Sequence, residues 1–90
     1  EKTGVDYQKL RLSSARKRWG SCSAKGSLNI NWRLLLTDDN LIDYVLLHEL
    51  AHIKHLNHSK KFWQFVEKFE PEYKKKRKRL KDYEYLFLID

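Results

Sequence analysis

Ninety residues make one domain, near the small end of what folds unaided. Hydrophobic residues are 41% of the chain and include three Trp, five Tyr and four Phe, so a core can form without staples. The single cysteine excludes an internal disulfide and fits a reducing, cytoplasmic setting. The net charge of +7 points toward nucleic acid or acidic partners.

No apolar run approaches a membrane span, and "EKTGVDYQKL" lacks the apolar stretch of a signal peptide. Residues 1–90 therefore read as one domain with no membrane partner. The arbitrary-looking start suits one domain cut from a longer protein.

Taken in order, "QKLRLSS" alternates apolar and polar residues and predicts a short strand with Leu10 and Leu12 on one face. "RKRWGSCSAKGS" holds two of the three glycines and three serines and reads as turns, with Gly20 and the serines explained by tight-turn chemistry. "SLNINW" alternates again, with Leu28, Ile30 and Trp32 on one face and Asn29 and Asn31 on the other. These segments predict a small antiparallel sheet. Residues Leu28, Asn29, Ile30 and Asn31 are candidates to bind an extended substrate along a free strand edge, with ordinary pairing inside the sheet as the alternative.

"TDDN" predicts a helix start capped by Thr37 or Asp38. The helix runs from Leu41 to about Leu56 and is apolar nearly all round, hence buried. Asn57 is a candidate left-handed stop and Ser59 a candidate cap for the next helix. There Phe62, Phe65, Val66 and Phe69 repeat at helical spacing and predict core packing. Pro71 can open a third helix, whose basic segment spans 72–82. Its Lys74, Lys75, Lys76 and Arg77 are candidates for nucleic-acid contact, against a plainer reading as a solvated face. "YEYLFLID" finishes as a strand or an extended tail.

All four histidines fall in "HELAHIKHLNH". His48 and His52 are four apart, which puts both imidazoles on one helix face. Glu49 is displaced about 100° around the helix, so it can lean over a metal's open position instead of ligating it. This is the H-E-x-x-H arrangement, in which the glutamate is general base toward a zinc-bound water. For the third ligand, geometry disfavours His55. It lies about 10.5 Å further along the axis, and ligands strung along a line cannot converge on one ion. His58 lies past the probable helix end, where the chain can turn back. It also has the spacing of the H-E-x-x-H-x-x-G-x-x-H motif, with His55 at that motif's glycine. Cys22 is an available fourth ligand, although a lone cysteine is more often a small hydrophobe. Tyr44, one turn before His48, reads as packed beside the site.

"RWGSCSAKGSLNINWRLLL" and "DYVLLHELAHIKHLNHSKKFW" together resemble the YgjP-like metallopeptidase family, related to the WLM and SprT-like zinc peptidases. The first segment carries Trp19 to Ser23, Gly26, Leu28, Asn31 and Trp32 of the family's hallmark. The second carries His48, Glu49, His52, His58, Ser59, Phe62 and Trp63. The resemblance implies an α+β, minimal zincin-like domain: a small sheet packed on the active-site helix and a following helix. It implies Zn2+ on His48, His52 and His58, Glu49 as catalytic base, and hydrolysis of peptide bonds in a peptide or unfolded protein. The chain has no methionine, so the apolar floor that metzincins build from a methionine turn must come from Trp63 or Phe62. Two alternatives stand beside this reading. One is a basic nucleic-acid-binding module with a structural zinc. The other is a protease acting on DNA-associated proteins, by analogy with some WLM and SprT-like relatives.

Overall fold

The computed structural model describes residues 4–88. It is an α+β arrangement of three strands, β1 (Lys9–Ser13), β2 (Gly20–Cys22) and β3 (Ser27–Asn31), with three helices, α1 (Asp39–Lys54), α2 (Lys60–Phe69) and α3 (Tyr73–Lys81). The sheet order is β1-β3-β2. It is mixed and not antiparallel throughout: β3 pairs antiparallel with β2 but parallel with β1, Leu12 lying opposite Ile30.

This order corrects two expectations. The segment read only as turns contains β2, which forms because β3 offers a pairing edge, against the weak strand preference of Gly and Ser. Strand β3 is central and hydrogen-bonded on both sides, so Leu28, Asn29, Ile30 and Asn31 offer no free edge to a substrate. Free edges belong to β1 and β2. Strand β1 forms where the alternation placed it, with Leu10 and Leu12 47% and 65% exposed, because within the sheet α1 packs chiefly against β2 and β3 and leaves β1 at the rim.

The alternation in β3 does deliver Leu28 and Ile30 to the core, at 0% and 4% exposure. Trp32, however, lies beyond the strand. Asn31 ends β3 by accepting the Arg33 backbone N–H at 3.0 Å, which caps a 3-10 turn over Trp32–Leu36. Asn31 and Arg33 are both fully buried. The Asn31 amide donates to the carbonyls of Ala15 and Arg18, and the Arg33 guanidinium donates to those of Ser14 and Ala15. Together they fasten the loop that delivers Arg18 and Trp19 to the face of α1.

Helix α1 begins as expected, with Asp38 accepting the Leu41 N–H at 3.1 Å. It ends earlier, at Lys54, and His55 is the residue after its last turn. The reversal is not left-handed at Asn57, since no residue other than glycine has positive φ among those described. Instead His55 steps into extended backbone (φ −133°, ψ 102°) while its N–H still reaches Ala51 O at 2.8 Å. Ser59 caps α2 through the Phe62 N–H. Phe62 and Val66 are wholly buried; Phe65 and Phe69 pack half-buried beside them. Pro71 sits in the turn before α3 and not in its first turn. The C-terminal segment forms a 3-10 turn over Glu84–Leu88 instead of a strand or tail; residues 89–90 of that stretch lie outside the described residues. No helix among the described residues is long and apolar enough to cross a membrane.

Candidate active site

Helix α1 carries His48 and His52 on one face, and the reversal after Lys54 returns His58 to them. Candidate ligand atoms of the three imidazoles lie within 4.8 Å of one another. The Nε2 atoms of His48 and His58 are 3.4 Å apart. Two ligands at about 2.0–2.1 Å in a tetrahedral shell stand roughly 3.3–3.4 Å from each other, so this pair is already at coordinating separation. His52 Nδ1 is 3.3 Å from the His55 carbonyl, which can only accept. Nδ1 therefore carries the proton, and Nε2 is left with a lone pair for a metal. His55 thus serves the site through its backbone, while its ring packs on Phe65 at 6.1 Å.

The surroundings suit neutral ligands. Burial, then the neighbouring His52, His58 and Arg77, push His48 down to about 4. Burial also lowers His52, opposed by its hydrogen bond to His55 O. Phe62 is the apolar floor: its ring lies 5.1, 4.5 and 4.9 Å from those of His48, His52 and His58. Trp63 stacks on His58 at 5.7 Å. The donor set, its spacing and its floor fit a zinc ion with a coordination position left for solvent or substrate.

Glu49 is 6% exposed. Burial raises its carboxyl to about 7, and the positive charge of Arg18 partly offsets this. A metal cation nearby would lower that value again. Gly20 owes its place to close approach and not to a tight turn: a Cβ there would stand 3.1 Å from Glu49 Cγ, Val45 Cγ1 and Asn29 O. The turn glycine is Gly26, at φ +86° between β2 and β3. Cys22 lies outside the three-histidine group. It packs with Val5, Leu28 and Leu50, and burial raises its thiol.

His48 and Glu49 open into a cavity of about 280 Å³. Trp19, Gly20 and Tyr44 form its near wall, and Arg77, Lys81 and Glu84 the far one. Tyr44 is 3% exposed and its buried hydroxyl has no hydrogen-bond partner among the described residues, a state that costs about 1–3 kcal/mol for a neutral group. Burial raises the pKa of the phenol, so it stays a donor at neutral pH. Its position four residues before His48 was the available sequence signal: that spacing puts it on the histidine face.

The four basic candidates separate. Lys75 pairs with Glu72 at 2.8 Å and Lys76 with Glu70, whereas Lys74 and Arg77 line a pocket beside the cavity. That Arg77 also faces the cavity required the tertiary packing of α3 on α1.

The sequence profile of the YgjP-like metallopeptidase domain matches residues 1–83. This chain belongs to the YgjP-like metallopeptidase family. A solved structure, described as the metallopeptidase zymogen of Pyrococcus abyssi abylysin, superposes with a TM-score of 0.72 at 32% identity, covering 80% of this chain and 73% of that one. A search of curated proteins finds no match. Family and fold make the YgjP-like chain a metallopeptidase with a histidine triad available for its metal.

Proposed function

We propose that this YgjP-like domain is a zinc peptidase in which His48, His52 and His58 hold the metal and Glu49 moves the proton. The observation that carries the reading is the convergence of three imidazoles, one of which, His48, opens with the buried Glu49 into a shared cavity. When bound, zinc supplies a Lewis acid that polarises the scissile carbonyl and acidifies water. Glu49, next to His48 on the cavity wall, accepts the proton of the attacking water and returns it to the leaving amine. Gly20 allows β2 to lie against Glu49, and the free edge of β2 can align an extended peptide past it.

A structural zinc in a nucleic-acid-binding module draws less support. Structural sites close all four positions with protein ligands, and the group here supplies three beside an open cavity. The test is cleavage of an unfolded protein and a mixed peptide library by the zinc-loaded chain. Turnover that stops on chelation and returns with zinc is expected. No cleavage by a fully zinc-loaded chain would defeat the peptidase reading.

A further inference from the structure

Seven of the nine residues of α3 are basic, and they sort into two sets. Lys75, Lys76 and Arg79 are ion-paired, to Glu72, Glu70 and Asp38. Lys74, Arg77, Lys78 and Lys81 have no ion pair among the described residues, and these four line one pocket of about 380 Å³. Their spacing places them on a single helix face. Neutralised charges therefore lie elsewhere on α3, and the unneutralised ones share a concave surface.

That surface runs into the catalytic cavity, because Arg77 and Lys81 line both. Arg77 is also held in place: its guanidinium lies 4.6 Å over the Trp63 ring, which is stacked on His58. It is close enough for its charge to act on His48 and Tyr44. Two cations on one cavity wall are the groups that bind a carboxylate. Glu84, exposed at the rim, is the opposing charge on that wall.

We propose that the substrate is an acidic peptide, with Arg77 and Lys81 receiving a carboxylate beside the catalytic residues while Lys74 and Lys78 hold further acidic residues along α3. The position beside the catalytic residues rests on the peptidase reading; the preference for acid does not. The carboxylate can belong to an Asp or Glu side chain or to a peptide C-terminus. A nucleic-acid backbone would use the same lysines, so an oligonucleotide is the competing ligand in the test.

Binding tests this without turnover. The zinc-loaded Glu49→Gln chain is titrated into labelled peptides of one sequence carrying Glu, Gln or Lys runs, each with a free or amidated C-terminus. The Glu peptide is expected to bind about tenfold or more tighter than the Gln peptide, with the gap narrowing as salt rises. Adding Arg77→Gln and Lys81→Gln should remove most of the gap with zinc content unchanged, and Glu84→Gln should widen it. The gap compares side chains and should survive amidation; a further loss of affinity shared by the Glu and Gln peptides on amidation adds the C-terminal carboxylate to the groups held, and supports the proposal. Equal affinity for Glu and Gln peptides would overturn it. So would a gap that outlasts the double substitution, or an oligonucleotide that binds this face more tightly than the acidic peptide. Failure of the wild type to cleave would defeat the peptidase reading and leave this binding result standing.

Discussion

Helices α1 and α3 face one another across the same cavity, yet they are built on opposite terms. On α1, seven of sixteen residues are buried, Glu49 among them; on α3 only Tyr73 and Leu80 are. The proton affinities follow. On α1, burial is the leading cause that shifts Tyr44, His48, Glu49 and His52. On α3, the exposed Lys75 and Arg79 are shifted upward by their partner carboxylates. Proton transfer and metal ligation need groups whose charge state the protein controls, and desolvation supplies that control. Recognition of charge needs solvated cations, which cost little to keep on a surface.

Breaking the histidine site that α1 carries, or the α2 floor beneath it, should cost metal or stability, and breaking the α3 side neither. The largest effect is expected at His58. His58→Ala should lower zinc affinity by well over the 10–100-fold typical of losing an outer hydrogen-bond partner, whereas His55→Ala, which keeps the carbonyl that orients His52, should retain zinc. Elemental analysis after gel filtration separates the two. Phe62→Ala follows. It removes a fully buried ring touching all three imidazoles and should cost about 3–5 kcal/mol in denaturant unfolding.

Next comes a pH effect in metal-free protein. The folded state holds the Glu49 proton up to about 7, above its unfolded value, so stability is lost as pH rises through that window. His48 acts in the reverse sense: its folded value near 4 means stability is lost as pH falls below the usual imidazole range. Glu49→Gln removes only the first effect. Relative to wild type it should therefore gain up to about 3 kcal/mol between about pH 5 and pH 8 in thermal unfolding. The smallest effect belongs to α3: Lys74→Ala with Lys78→Ala should change stability by under about 0.5 kcal/mol and leave zinc in place. A loss comparable to Phe62→Ala would erase the contrast between the two helices.

The sequence made the chemistry legible and the topology much less so. His48, Glu49 and His52 are fixed by spacing within one helix, and the turn back to His58 follows from the distance argument, although the reversal uses extended backbone at His55 instead of a left-handed Asn57. Strand β2 was hidden because its Gly and Ser residues form a strand only by pairing, and the parallel register of β1 depends on contacts distant in sequence. Asn31 read as a polar strand position, since nothing local reveals that its amide and Arg33 are buried to hold the Ser14–Arg18 loop. Residues that act through partners far along the chain, Arg77 above all, need the fold before their direction is defined.

The central claim places the metal on three histidines and the proton on Glu49. Its most direct test is the Glu49→Gln chain, measured for zinc content and for kcat on an unfolded protein substrate. The expected result is one zinc per chain with turnover reduced by about 10²–10⁴-fold. Full turnover with zinc bound would contradict the claim, and so would loss of the metal.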